Sequence, residues 1–121
     1  MPKFSALPQW LALLGGLAFA ACQWLIYAYA PVEETLGLPQ KIFYVHLPLA
    51  WWALMSFFVV FLGSIAYLWR RNPAADRLCA AAAETGVLLS GLALVTGMLW
   101  ARRSWGVWWT WDPRLTTTLI M

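Results

Sequence analysis

The charges in this chain leave three long gaps. No Asp, Glu, Lys or Arg occurs between Lys3 and Glu33, a gap of 29 positions; between Lys41 and Arg70, 28 positions; or between Glu84 and Arg102, 17 positions. About 20 apolar residues cross roughly 30 Å of hydrocarbon as a helix that rises about 1.5 Å per residue. The gaps therefore predict membrane-spanning helices over about residues 9–30, 47–69 and 78–101. Each must satisfy its own backbone hydrogen bonds in lipid, which leaves helix as the reading for runs this long. A fourth apolar run, 115–121, is too short to span and reads as the start of a further helix. The expectation is an all-α, polytopic integral membrane protein forming a single membrane domain, the N-terminal part of a longer protein.

Composition excludes the other classes. Of 121 residues, 63% are hydrophobic and 11% charged, with a net charge of +3. Soluble domains carry about a quarter charged residues. Disordered tails and nucleic-acid binders need polar or basic sequence, so no nucleic-acid partner is expected and membrane lipid is the surrounding medium. The run Ala18-Phe19-Ala20-Ala21-Cys22 resembles a signal-peptide cleavage region, but apolar sequence continues through Trp24, Leu25, Ile26 and Tyr27. The segment is read as an uncleaved first helix. Cys22 and Cys79 read as small apolar residues of the helices, and the absence of Cys-x-x-Cys-His argues against covalent haem attachment.

With three spans, the segments after helices one and three emerge on the same side of the membrane. Basic residues divide evenly: Lys3, Arg70, Arg71 and Arg77 on one side, Lys41, Arg102, Arg103 and Arg114 on the other. The N-terminal amine and the Arg70-Arg71-Asn72-Pro73 turn tip the N-terminus toward the cytoplasm. The two segments on the far side then hold most of the chemistry. The first ends in Lys41-Ile42-Phe43-Tyr44-Val45-His46-Leu47-Pro48 and contains the chain's only histidine, set just before a proline suited to a helix's first turn. The second, 102–114, is rich in tryptophan: five of the chain's ten Trp lie between positions 100 and 111.

Ordinary structural roles account for part of this. Trp10, Trp51, Trp52, Trp69 and Trp100 lie near predicted helix ends, as an aromatic belt at the headgroups requires. Asp112-Pro113 before an apolar run reads as an N-cap with proline at the next position. Gly86, Ser90, Ala93 and Gly97 form a small-residue seam for close helix packing. Glu84 reads as a carboxylate that snorkels or pairs between helices toward the opposite face. Belt residues do not account for four Trp within seven positions. A helical 105–112 would bring Trp105, Trp108, Trp109 and Asp112 within roughly 100° of one another, as an interfacial aromatic platform, with Trp111 off that face.

One imidazole, a flat aromatic surface and several guanidinium groups suit haem: histidine ligates its iron, Trp faces its ring, and Arg holds its propionate carboxylates. Arg102 and Arg103 are proposed from charge alone. A quaternary-ammonium cage, a quinone site or an anchoring subunit of a respiratory complex remain open on spacing.

The run Trp105-Gly106-Val107-Trp108-Trp109-Thr110-Trp111-Asp112-Pro113-Arg114-Leu115-Thr116 resembles the tryptophan-rich (WWD) signature of the haem-handling proteins of cytochrome c maturation, and most closely the haem exporter protein C family, CcmC. Lys41 to Pro48, and Val95-Thr96-Gly97 leading to Trp100, are similar to the same family. The resemblance implies a non-enzymatic, multi-pass protein of the bacterial cytoplasmic (inner) membrane. It would bind haem b non-covalently, in transit, at the outer, periplasmic face and hand it to a haem chaperone among the other membrane subunits of cytochrome c maturation. It assigns His46 as an axial iron ligand, Trp105, Trp108, Trp109, Trp111 and Asp112 as the signature platform, and Arg114 and Lys41 as propionate partners. The family has about six helices and a second external histidine near its far end, and this chain stops before either is reached. Pro113 stands where CcmC commonly has Ala and is similar to the related CcsA synthases, while Arg114-Leu115-Thr116 favours CcmC. The alternative is a haem- or quinone-binding membrane anchor of a redox complex.

Overall fold

The computed structural model describes residues 6–121, in which every regular element is helical. Lys3, used above to orient the chain, lies outside the described residues. Helix α1 covers Ala6–Trp24 and passes into a π-helical turn, Leu25–Tyr29, which Ala30 ends by donating its N–H to the Leu25 carbonyl at 2.8 Å. Helix α2 is Pro39–Arg70, α3 is Pro73–Trp105, and a short α4 is Pro113–Ile120. The α1 segment with its π turn, α2 and α3 are each long and apolar enough to cross a membrane, and the chain is an all-α, multi-pass membrane protein.

At 32 and 33 residues, α2 and α3 overrun the charge-free gaps at both ends. A 32-residue helix is about 48 Å long, well beyond the hydrocarbon thickness. Their end turns carry charges, Lys41 and Arg70 on α2 and Asp76, Arg77, Arg102 and Arg103 on α3, so they fall outside the uncharged runs.

The start of α2 corrects one expectation. Pro39, not Pro48, occupies the first turn. Pro48 sits inside the helix, and His46 is a helical residue, about 11 Å along the axis from Pro39. The turn before α2 explains the early start. The Glu33 carboxylate accepts from the Thr35 N–H, the Thr35 hydroxyl and the Leu36 N–H, and the Gly37 N–H donates to the Glu33 carbonyl at 2.8 Å. Gly37 takes φ +64°, where glycine carries no steric penalty, and this aims the chain into Pro39. These donors, the Thr35 hydroxyl foremost, hold the Glu33 carboxyl below its ordinary range.

Helices α2 and α3 form the packed unit of the fold, an antiparallel pair closed by two residues. Arg71 takes the left-handed conformation at φ 49°, and Asn72 caps α3 by accepting from the Ala74 N–H at 2.9 Å. Small residues line the seam. Ala53, Gly63, Gly86 and Ala93 are buried, and a Cβ built on Gly63 would sit 2.5 Å from the Cys79 sulfur. A Cβ on Gly86 would meet Ser56 and Phe57 at 3.2 Å. The seam expected at 86, 90, 93 and 97 thus faces α2, and backbone approach replaces side-chain bulk as the source of contact. Helix α1 buries no residue and meets the pair only through its π turn. Trp10, Trp51, Trp52 and Trp69 are exposed on the outer surface, where a membrane belt would be. Glu84 is exposed on α3, outside the α2–α3 seam.

Candidate functional site

The hairpin carries His46 and the tryptophan-rich segment to the same end of the molecule. His46 on α2 lies opposite Thr96 and Gly97 on α3, with its Nδ1 2.9 Å from the Thr96 hydroxyl. That hydroxyl also lies 2.9 Å from the Leu92 carbonyl and 3.0 Å from the Ala93 carbonyl. Gly97 leaves room for the ring, since a Cβ there would come within 3.3 Å of His46 Cε1.

Between Trp105 and Pro113 the chain is not helical, and this corrects the single-face platform. Gly106 takes φ +78° as the cap of α3, donating its N–H to the Arg102 carbonyl at 3.1 Å. A residue in that conformation ends a helix. At the other end Pro113 holds Asp112 in extended backbone and begins α4. The intervening strip, 107–112, has no regular structure, so its Trp rings are distributed over several surfaces. Asp112 caps α4 as expected, accepting from the Leu115 N–H at 2.9 Å. It also accepts from the Thr110 hydroxyl at 3.3 Å and pairs with Arg114 at 3.4 Å. The backbone N–H of Leu115, and after it the Arg114 charge, hold the Asp112 carboxyl below its ordinary range.

Two cavities result. The first, about 320 Å³, lies among α2, α3 and α4 and is lined by His46, Trp100, Trp105, Asp112 and Arg114 on largely apolar walls that include Ala53, Leu94 and Leu115. Trp100 and Trp105 meet edge to face with centroids 4.9 Å apart. The second, about 710 Å³, lies toward α1 and is lined by Lys41, Arg102, Arg103 and Trp108. Lys41 is only 7% exposed and donates its ammonium to the Tyr27 carbonyl at 3.1 Å. Arg102 donates to the Gly106 carbonyl, and its guanidinium lies 5.8 Å from the Trp108 ring centroid. Trp109 and Trp111 line neither cavity; they meet edge to face at 5.5 Å, and Trp111 is 76% exposed.

The structure therefore brings His46, Trp105, Asp112 and Arg114 together. It places Lys41 and Trp108 on the other side of the α2–α3 pair. Trp100, read above as a belt residue, is a wall of the His46 cavity. So is Ser90, whose buried hydroxyl has no hydrogen-bond partner among the described residues. Both were detectable from the seam, because Ser90, Ala93, Gly97 and Trp100 follow one another at helical spacing on a single face.

The family model of Heme exporter protein C, CcmC, matches residues 2–121. The chain belongs to the haem exporter protein C family. Curated relatives that carry the same name include one from Rhodobacter capsulatus, 36% identical over 111 residues, covering 92% of this chain and 43% of the relative. One from Bradyrhizobium diazoefficiens is 42% identical over 94 residues, 78% of this chain and 36% of the relative. One from Paracoccus denitrificans is 32% identical over 122 residues, 100% of this chain and 50% of the relative. The chain spans half or less of the length of these relatives.

Proposed function

We propose that this chain supplies one wall and one axial ligand of a haem-binding site, at the outer face of the cytoplasmic membrane, in a protein that carries haem b non-covalently to a chaperone for cytochrome c maturation. The observation that carries the reading is the 320 Å³ cavity, in which the only imidazole of the chain faces the same space as Trp100, Trp105, Asp112 and Arg114. The relatives named Heme exporter protein C support it.

The donor set fits the cargo. Imidazole is a nitrogen ligand suited to haem iron. Trp100 and Trp105 offer aromatic faces and edges to a macrocycle, and the apolar walls keep water from it. Arg114 is 79% exposed and engages Asp112 through only one terminal guanidinium nitrogen, at 3.4 Å, so its remaining N–H groups are available to a propionate carboxylate. The chain makes and breaks no covalent bond. Hand-over then depends on a chaperone whose haem affinity is comparable with the site's, because transfer follows differential binding. Neighbouring membrane subunits would complete the enclosure.

The test is haem content of the purified full-length protein. The site predicts that His46→Ala lowers haem content and alters the visible spectrum, and an unchanged spectrum and content would remove His46 from the site. For the face, single cysteines at Ser104 and Asn72 should be labelled from opposite sides of the membrane by an impermeant reagent, with Ser104 reached from outside. Labelling of Ser104 from the cytoplasmic side would reverse the orientation.

A further inference from the structure

We infer that Thr96 is the positioning residue of His46: its hydroxyl accepts the Nδ1–H and so fixes the tautomer that leaves the Nε2 lone pair free as a metal ligand. This rests on the haem reading of the cavity above.

A threonine hydroxyl has one proton to donate and two lone pairs. Thr96 Oγ1 lies 2.9 and 3.0 Å from two backbone carbonyls one turn back on α3, and 2.9 Å from His46 Nδ1. The carbonyls can only accept. If the hydroxyl proton went to the imidazole, two oxygen–oxygen contacts near 3 Å would remain with no hydrogen between them. With the proton directed back at the Leu92 and Ala93 carbonyls, shared between them as a bifurcated bond, the hydroxyl can only accept from the ring, and Nδ1 must be the protonated ring nitrogen. The bare lone pair is then on Nε2, the atom across the ring. A metal-bound histidine ordinarily donates its second N–H in this way, and that bond sets ring orientation and ligand basicity.

Gly97 completes the arrangement. The next residue on α3, it lets the imidazole lie against the helix backbone, with Cε1 3.3 Å and Nδ1 3.7 Å from where a Cβ would be. The ring is thus held at Nδ1 by the hydroxyl and packed along its Nδ1–Cε1 edge against Gly97. Threonine suits this role because its branched side chain has few χ1 rotamers in a helix, and back-bonding to the preceding turn selects one of them.

The experiment uses the full-length protein, purified without haem and titrated with haem b. Thr96→Val keeps the shape and removes the acceptor; Thr96→Ser restores the hydroxyl. Haem affinity should fall roughly 10–100-fold in Thr96→Val and stay within a few-fold of the parent in Thr96→Ser. The reduction potential of the bound haem should rise in Thr96→Val, because a less basic imidazole stabilises ferric iron less. The tautomer is read independently of haem, and without any change at position 96, from imidazole 15N shifts of histidine-labelled protein. The His46 signal is identified by its loss in His46→Ala and is expected to show a protonated Nδ1.

A protonated Nε2 in that spectrum would overturn the inference. So would parental affinity and potential in Thr96→Val while His46→Ala loses haem, which would leave the haem reading intact. If His46→Ala binds haem with unchanged affinity and spectrum, the haem reading falls, and the role of Thr96 falls with it.

Discussion

Two cavities flank the same end of the α2–α3 pair, and the larger and more basic one is the poorer match for a haem. The α1-side cavity has about twice the volume and three cations, Lys41, Arg102 and Arg103. Two of those cations already serve the chain's own backbone. Lys41 is buried against the Tyr27 carbonyl, in the π-helical turn that follows α1, where carbonyls near the helix end lack an onward N–H. Arg102 caps the end of α3 through the Gly106 carbonyl and lies over Trp108. In the smaller cavity Arg114 is 79% exposed and engaged only with Asp112, and an imidazole stands opposite. Counting cations or volume favours the α1-side cavity; asking which polar groups are still available favours the His46 cavity proposed above, because a buried charge must satisfy itself before it can serve a ligand.

The contrast is open to direct attack by substitution in the full-length protein, with haem affinity as the readout. The largest effect is expected from His46→Ala, a loss on the order of 100-fold with a changed Soret band, since losing a ligand exceeds the 10–100-fold typical of its outer partners. Trp105→Ala should follow, removing an aromatic contact of about 0.5–1.5 kcal/mol beyond the area lost, a factor of roughly 2–10. Trp111→Ala should match the parent, because Trp111 lines neither cavity. Equal losses from the two would return the segment to an interfacial belt.

Arg114→Ala should weaken haem binding a few-fold, within about 0.2–1 kcal/mol because the side chain is exposed, and Arg114→Lys should weaken it less. A smaller, pH-dependent effect should come from Asp112. Its folded-state carboxyl is held below the ordinary range by the Leu115 N–H, so its cap and its grip on Arg114 are complete above that range. Both are lost as pH falls through the lowered value. Haem retention should therefore decline on acidification, and Asp112→Asn, a neutral cap acceptor, should flatten that part of the profile. The smallest effect on haem is expected from Lys41→Met, which should leave affinity within about twofold while loosening α1 from α2. A loss as large as that of Arg114→Ala would bring the α1-side cavity into the binding site.

The spans, the helix class and the shared side of the two chemical segments were legible because lipid imposes a strict rule on long uncharged runs. The helix ends were not, since Pro39 and Trp105 extend α2 and α3 into stretches that include charges. Within the site, His46 and Asp112 were readable from rarity and from capping pattern. The shared Trp face was misread, because a helical wheel assumes a continuous helix and Gly106 breaks it with a positive φ.

By itself, then, the sequence determined that this chain lives in a membrane as helices, that its imidazole and its tryptophan-rich segment leave on one side, and which family it resembles. Those properties follow from hydropathy, from parity of crossings and from local motif, none of which needs a partner helix. Only the tertiary structure decided that Arg114 joins His46 while Lys41 turns to Tyr27, that Trp100 walls the cavity, and that Thr96 and Gly97 hold the ring. Those are matters of register between α2 and α3. Register is set by how closely small residues let two backbones approach, and a single sequence read along its length does not display that distance.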